Sequence, residues 1–371
     1  MNTADEPLRH INYISVPLDL LPDIDLPFFD PAKLLPVEIP PGEEDWKMQD
    51  LSWEMIIAAM LKILAYKPDH EDGEYYREFI RASRPGIAEE LTEAGIVKAQ
   101  NKDYFLAEEV FLALSNLFPD DVSATINLAL VFEQHADAYE QVEKNDLAEE
   151  YLLQAFKAYQ QAVQIGGETP DVHYYFGQFY MRRNEMNKAQ EHFSIFLETT
   201  ADDEKRSEIQ HVVDSLQDQQ RLDTLFKESY DFIKIGKEEQ GIERIREFLK
   251  LKPEVGNAWF LLGWAFRRLE KYTDAKEAFL KAIELEPVEP DAFNELAICL
   301  MELEEYPNCR KYLNKALRLE PENIKIISNM GILAMKEKKF EEAEGFFKTV
   351  LELEPEDEIA RQYLEFLSSR Q

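Results

Sequence analysis

The side chains that could act as nucleophiles or metal ligands are few and scattered. The chain has two cysteines, Cys299 and Cys309, and six histidines. Both cysteines fall at apolar positions of predicted helices and are interpreted as core thiols, since a buried free cysteine behaves as a small hydrophobic side chain. The histidines show no spacing typical of a metal site. Neither His-Glu-x-x-His, Gly-x-Ser-x-Gly nor a phosphate loop occurs, so we expect no metal and no cofactor.

Carboxylates are abundant, with 74 Asp and Glu against 41 Lys and Arg, for a net charge of −33 over 371 residues. Close carboxylate pairs are expected by chance in such a chain, so they do not indicate catalysis, and we expect no enzymatic activity. The negative charge disfavours a nucleic-acid partner and an anionic membrane surface. Hydrophobic residues make up 45% of the chain, enough for a large buried core.

The N-terminus lacks a basic start followed by an apolar stretch, and no run of about 18 apolar residues is present. A cytoplasmic location is therefore the expectation from the sequence. A signal peptide removed from the protein would leave the same sequence.

A repeated sequence pattern predicts the secondary-structure elements that must position any functional residue. Four prolines recur at intervals of 34 residues: Pro253, Pro287, Pro321 and Pro355. Between the first two, small and apolar residues stand three and four apart in two segments, with Trp259, Leu262, Gly263 and Phe266 in one and Ala275, Phe279 and Ala282 in the other. This spacing predicts two amphipathic helices per period. A single pair cannot bury its apolar faces alone, so neighbouring pairs must stack into a solenoid.

This pattern resembles the tetratricopeptide repeat (TPR), and Gly256–Val288 matches the motif of that family at nearly every position. The resemblance implies an all-α, right-handed solenoid of antiparallel helix pairs that is non-catalytic and binds protein. It also implies that the first helix of each pair lines a concave groove.

The periodicity predicts six regions: an extended proline-rich segment (1–47), an N-terminal helical cap or degenerate repeat (48–87), a first lobe of three repeats (88–203), a linking helix (204–221), a second lobe of four repeats (222–357), and a capping helix (358–371). The second repeat, 122–169, has 48 residues rather than 34. Its additional residues correspond to about two turns on each helix. In the capping helix, Ile359, Tyr363, Leu364 and Leu367 are expected to share one buried side.

The N-terminal segment combines eight prolines between Pro7 and Pro41 with many apolar side chains. Prolines at this density exclude a helix and favour an extended chain, and the apolar side chains need a surface to cover them. Two hypotheses remain open at this point. The segment lies in or along the groove of its own chain and braces it, or it binds elsewhere, including a second copy in a homodimer.

The groove-facing positions implied by the resemblance are mostly apolar and aromatic. The predicted partner-binding residues are Tyr174, Met181, Phe226, Tyr230, Ile233, Phe260, Trp264, Arg267, Ile298, Met301 and Met335. Such a surface suits a peptide with spaced apolar side chains or a partner helix, and the acidic surroundings favour a basic partner. The alternative for each residue is packing against the next helix or the linking helix.

The sequence therefore predicts a protein-interaction scaffold or adaptor. The alternative is a cytosolic holdase-type chaperone for an apolar export substrate, which the methionines and aromatics of the groove would suit. An enzyme or an enzyme-regulatory subunit ranks lower, because carboxylate pairs arise by chance in a chain this acidic and no catalytic motif occurs.

Overall fold

The computed structural model describes residues 7–16, 30, 32–39, 51–286 and 290–369. The chain divides into two compact units, Met1–Val213 and Asp214–Gln371, which we call unit 1 and unit 2. The described residues are mostly helical, with two short strands near the N-terminus. The all-α repeat architecture predicted from the sequence is confirmed.

The strands are β1 (Ile11–Ile14) and β2 (Leu35–Glu38). The helices up to the unit boundary are α1 (Trp53–Tyr66), α2 (Gly73–Ser83), α3 (Ile87–Gln100), α4 (Tyr104–Leu117), α5 (Val122–Glu140), α6 (Asn145–Gly166), α7 (Pro170–Arg182), α8 (Met186–Thr199) and α9 (Asp203–Lys234), which continues into unit 2. Those that follow are α10 (Glu238–Leu251), α11 (Gly256–Arg268), α12 (Tyr272–Leu285), α13 (Pro290–Glu302), α14 (Tyr306–Leu319), α15 (Ile324–Lys336), α16 (Phe340–Leu353) and α17 (Glu358–Ser368).

Two regular pairs of unit 2, α11–α12 and α15–α16, are joined by the same contact between a glycine on the first helix and a phenylalanine on the second. A Cβ atom built on Gly263 would lie 2.8 Å from the ring of Phe279, and one on Gly331 would lie 2.8 Å from Phe347. Glycine is unfavourable inside a helix, but here its missing side chain lets the two helices approach. Both phenylalanine rings are fully buried.

The turn inside most pairs places one residue in the left-handed region of the backbone. The non-glycine residues with φ near 60° are Lys102, Glu143, Asn184, Glu270, Glu304 and Lys338. Gly236 occupies the corresponding turn between α9 and α10, with φ of 81°. In the turn at Glu270, the Lys271 N–H donates to the Phe266 carbonyl at 2.9 Å, a bond typical of a helix C-cap.

The second helix pair is longer than the others. α5 has 19 residues and α6 has 22, whereas α11 and α12 have 13 and 14. The additional turns lie at the C-terminal end of α5 and the N-terminal end of α6, next to the turn that joins them. This pair is called the elongated pair below.

The described part of the N-terminal segment forms an antiparallel two-stranded sheet, in which Ile11 pairs with Glu38 and Ile14 with Leu35. β2 packs on α1, and Leu35 and Val37 are fully buried. The predicted extended stretch between these strands, residues 17–29, lies outside the described residues, as do residues 40–47. The described residues of the N-terminal segment therefore cover α1, the helix at the start of unit 1.

α1 packs against α4, the second helix of the following pair, as well as against α2 and β2. In α2, the Arg77 Nε donates to the Asn116 carbonyl at the end of α4 at 2.7 Å. This arrangement departs from the regular stacking, in which a second helix packs on the next first helix. An N-terminal cap or a degenerate repeat remains the prediction for this region.

α9 is one continuous helix of 32 residues that includes the predicted linking helix 204–221. Ile209 and Val213 belong to the core of unit 1, and Leu222 and Leu225 belong to the core of unit 2. The helix therefore serves both cores.

The C-terminal helix α17 covers the end of unit 2. Tyr363 stacks on Phe347 at 4.6 Å, and Ala360 and Leu367 are buried. The expectation for Ile359 was wrong, because its side chain is 57% exposed and Ala360 takes its place on the buried side.

Candidate partner-binding surface

The first helices of unit 2 lie side by side. α11 contacts α13, and α13 contacts α15. The C-terminal part of α9 supplies the first helix of the pair that α10 completes. These helices carry most of the predicted partner-binding residues, and their accessible side chains are Phe226, Tyr230, Phe260, Trp264, Arg267, Ile298 and Met335. We call this set the first-helix face.

Two aromatic rings of the first-helix face lie close together on neighbouring first helices, one exposed and the other partly buried. Tyr230 is 45% exposed, and its ring centroid lies 6.1 Å from that of Trp264. The Lys234 ammonium lies 5.8 Å from the Tyr230 ring, and the Arg268 guanidinium lies 5.6 Å from the Trp264 ring. Phe226 and Phe260 are partly buried against Phe residues of second helices.

The polar groups of this face are held by neighbouring helices. Arg267 on α11 forms an ion pair with Glu295 on α13. Burial raises the pKa of the Glu295 carboxyl, and the adjacent Arg267 opposes that rise. One helix further on, the Asn329 side-chain amide donates to the side-chain Oδ1 of Asn294 at 2.7 Å. These contacts orient the first helices relative to one another and fix the Arg267 side chain.

Two of the predicted partner-binding residues are core residues. Ile233 is fully buried, and Met301 is 3% exposed in the same core cluster as Met330 and Leu333. Ile233 turns inward because Gly241 on α10 leaves space for it, with a distance of 2.5 Å between the Ile233 Cγ1 and a Cβ built on Gly241. Neither side chain contributes accessible surface.

In unit 1, Tyr174 and Met181 on α7 are partly buried. The ring of Tyr174 lies 5.3 Å from Phe196, and the Lys205 ammonium of α9 lies 4.9 Å above it. Burial raises the pKa of the Tyr174 hydroxyl. Packing against α8 and α9 therefore explains why Tyr174 is aromatic and partly buried.

A polar cluster in the elongated pair was not expected from the sequence. His135 on α5 and Glu108 on α4 contact through Nδ1 and Oε1, and both side chains are nearly buried. Rings of Tyr104, Tyr139 and Tyr151 lie within 5.3 Å of the imidazole. Burial raises the pKa of Glu108 to about 8 and lowers the pKa of His135. The two groups lie 27 residues apart in the chain, so no local spacing could have indicated them.

A second buried acid lies close to His135 on the same helix. Glu133 is 4% exposed, accepts a hydrogen bond from the Tyr159 hydroxyl and pairs with Arg182 of α7. Burial raises the pKa of Glu133, and the contacts with Tyr159 and Arg182 oppose the rise.

The structure also brings together two histidines that are distant in sequence. The Nδ1 atoms of His173 and His192 lie 2.9 Å apart, and His173 Nε2 lies 2.8 Å from the Gly167 carbonyl. Because a carbonyl only accepts, His173 donates from Nε2. Burial, with the neighbouring His173, lowers the pKa of His192 to about 4. Among the described residues, no group of three or more His, Cys, Asp or Glu is placed to hold a metal ion.

Both cysteines are fully buried and unpaired, as predicted for core thiols. Burial raises the pKa of each thiol to about 12, which makes both poor nucleophiles.

The repeat geometry agrees with a family comparison. The family model for the TPR domain of cytochrome c-type biogenesis protein H matches residues 244–361, from α10 into α17. This part of the chain belongs to the tetratricopeptide repeat family. TPR repeats are in general non-catalytic protein-interaction modules, and a protein-interaction scaffold is the class of function that this fold supports.

Several solved structures are similar to segments of this chain, with low TM-scores. MamA matches at 21% identity over 48% of this chain and 94% of its own, with a TM-score of 0.36. The first TPR of Spaghetti (RPAP3), bound to the HSP90 peptide SRMEEVD, matches at 24% identity over 31% of this chain and 91% of its own, with a TM-score of 0.30. The C-terminal part of a TPR protein from Cytophaga hutchinsonii matches at 17% identity over 73% of this chain and 98% of its own, with a TM-score of 0.35.

A comparison with curated proteins finds no match to this TPR chain. Among the described residues, no helix has both the length and the apolar character needed to cross a membrane.

Proposed function

We propose that this TPR protein is a non-catalytic scaffold that binds a peptide or a partner helix on the first-helix face of unit 2. The observation that carries the proposal is the pair of accessible rings, Tyr230 and Trp264, on adjacent first helices. Tyrosine and tryptophan bury a large area with little loss of side-chain entropy, so they often dominate binding energies.

The polar groups beside these rings support the same function. Arg267 is already paired with Glu295, and Arg268 is held by both the Trp264 ring and Glu238, at 2.6 Å from its carboxylate. Side chains that are ordered before binding lose less entropy when a partner docks. The surface is therefore organised in advance for a partner.

We further propose that the partner is basic or carries basic residues. The net charge of −33 attracts cations over distances of about 10 Å at moderate ionic strength. The cytoplasmic location remains a prediction from the sequence.

The N-terminal segment is proposed to brace unit 1 through its described residues, which cover α1. Val16, Leu35 and Val37 are buried there. Groove occupancy by residues 17–29, and pairing with a second copy, remain predictions.

The holdase alternative finds less support, because Met301 is part of the core and does not contribute to an adaptable methionine-rich surface. A holdase would bind many unfolded apolar chains, whereas a scaffold binds one partner at a fixed stoichiometry. Suppression of aggregation of several unrelated unfolded proteins would favour the holdase.

The test is a selection of peptides that bind the full-length protein, followed by affinity measurements on variants. Trp264→Ala and Tyr230→Ala are each expected to weaken binding by about tenfold or more. Leu280→Ala and Leu319→Ala serve as matched controls, because these leucines are exposed on the second helices α12 and α14. Peptides that bind the two aromatic variants as tightly as the native protein would refute the proposed site.

A further inference from the structure

One helix of unit 2 has a charge opposite to that of the chain. The 14 residues of α14, Tyr306–Leu319, include no Asp or Glu, although the whole chain has 74 acids in 371 residues. The helix carries four cations: Arg310, Lys311, Lys315 and Arg318.

Arg310 has an internal role. Its guanidinium pairs with Glu342 at 2.6 Å and with Glu337, which ties α14 to α16 and to the end of α15. The other three cations are exposed. None of these three forms an ion pair with any residue that the structure describes. Their separations of four and three residues place them on one face of the helix.

Aromatic rings lie beneath two of these cations, Lys311 and Lys315. The Lys315 ammonium is 5.2 Å from the Tyr312 ring centroid and 5.4 Å from that of Phe293. The Lys311 ammonium is 5.8 Å from the Tyr312 ring. A cation over a ring is attracted to the ring and keeps its charge. We call Lys311, Tyr312, Lys315 and Arg318 the basic stripe.

The preceding repeat shows that this charge is not a requirement of the fold. The positions 34 residues earlier, on α12, hold Glu277, Lys281 and Glu284. There the Lys281 ammonium pairs with Glu284 at 2.8 Å, so the charge is compensated on the same helix. On α14, the equivalent positions are all basic and have no such compensation.

We propose that the basic stripe binds an acidic peptide segment of a partner protein, with carboxylates on the three cations and an apolar side chain against Tyr312. Charge complementarity selects this occupant, because the stripe is a local cationic site on a strongly acidic protein. The short length of the stripe, about 10 Å from Lys311 to Arg318 at the rise of an α-helix, suits a short segment of peptide. This site lies on a second helix and is independent of the first-helix face.

The test uses the full-length protein and a fluorescein-labelled peptide in which Glu alternates with Leu. Fluorescence anisotropy is expected to show binding that weakens steeply as salt is raised from about 50 to about 300 mM. The triple variant Lys311→Gln, Lys315→Gln, Arg318→Gln is expected to weaken binding by about tenfold or more, because charge-assisted contacts are lost. The matched control is Lys227→Gln, Lys271→Gln, Lys338→Gln, which removes the same charge from exposed positions elsewhere in unit 2.

Two further measurements distinguish the basic stripe from the first-helix face and an acidic peptide from other anions. The Trp264→Ala variant is expected to bind the acidic peptide as tightly as the native protein does. This result would hold even if the first-helix face proved not to be a binding site. Tighter binding of single-stranded DNA or of phosphatidylserine vesicles than of the peptide would overturn the proposed occupant. Equal affinity of the α14 triple variant and its control, or the absence of any binding by the native protein, would overturn the site.

Discussion

The elongated pair α5–α6 and the regular pair α11–α12 differ in the ring that fills the centre of their junction, which is tyrosine in the first and phenylalanine in the second. Phe279 fills the junction of the regular pair beside Gly263, and Tyr159 takes the equivalent position in the elongated pair. Both rings are fully buried. The Tyr159 hydroxyl requires a buried acceptor, and Glu133 provides it.

This difference has consequences beyond one hydrogen bond. Glu133 is itself buried and needs Arg182 as a partner, and the added turns next to it bury the Glu108–His135 pair. The regular pair holds its helices together with apolar contacts alone at this position. A buried polar network stabilises only when every group is satisfied, so the elongated pair should be more sensitive to pH and to single-atom changes.

The largest expected effect comes from Phe279→Ala. Removing this ring leaves a cavity in the junction of the regular pair and should lower the free energy of unfolding by about 3–5 kcal/mol. Urea unfolding followed by circular dichroism measures the change. Leu280→Ala, an adjacent and exposed leucine, should cost much less. Equal costs would show that the ring contact does not hold the pair together.

A smaller effect is expected from pH, and it should be centred on α4 and the elongated pair, where Glu108 and His135 meet. The pKa of Glu108 is raised from its ordinary value of 4.5 to about 8, so between these values the folded state binds more protons than the unfolded state. Stability should therefore fall as pH rises, by about 1.4 kcal/mol per unit. The lowered pKa of His135 has the opposite sign and acts only below its ordinary value of 6.5.

Below pH 6.5 the contributions of Glu108 and His135 to the free energy of unfolding oppose each other. Between about pH 6.5 and 8, of the two, only that of Glu108 changes, and the free energy of unfolding should fall by about 2 kcal/mol. Tyr66, Tyr104, Tyr139 and Tyr151 lie nearby, and burial raises the pKa of Tyr66 and Tyr151 further above this range. Hydrogen exchange of α4 to α6 at several pH values measures the effect. Glu108→Gln should reduce the slope and leave the part contributed by Glu133, whose pKa burial also raises, and an unchanged slope would exclude Glu108 as a source.

Tyr159→Phe makes the junction of the elongated pair resemble that of the regular pair. It removes the donor to Glu133 and should cost about 1–2 kcal/mol, because a buried carboxylate oxygen loses its partner. The double variant Tyr159→Phe, Glu133→Leu should recover most of this loss, since it replaces both partners with apolar groups. Urea unfolding of Tyr159→Phe, of Glu133→Leu and of the double variant measures these differences. Additive losses in the double variant would show that the network does not act as a unit.

The smallest effect tests a feature that the two pairs share. Glu143 and Glu270 both have φ near 60° in the turn, a conformation that glycine adopts without strain. Glu143→Gly and Glu270→Gly should each raise the midpoint of thermal unfolding slightly, by a gain of about 0.5 kcal/mol. Glu284→Gly, inside α12, should instead destabilise by about 1 kcal/mol. A loss in the turn variants would show that the glutamate side chains stabilise the turns.

Much of the fold could be predicted from spacing because its contacts repeat locally. The interval of 34 residues and the small residue at Gly263 indicate where two helices must meet, and the structure places Phe279 there. The accessible aromatic positions Tyr230 and Trp264 also follow from that period. The inward turn of Ile233 could not be predicted, because it depends on the space left by Gly241 of another helix.

The sequence by itself determined the repeat, the helix pairs, the acidic character and the apolar first-helix positions, since each follows from residue type at short, regular spacing. Only the tertiary structure decided which residues meet across helices: Glu108 with His135, His173 with His192, and Glu133 with Tyr159 and Arg182. These partners lie 19 to 49 residues apart in the chain. Burial makes their polar contacts necessary, and burial depends on the packing of whole helices rather than on any local pattern.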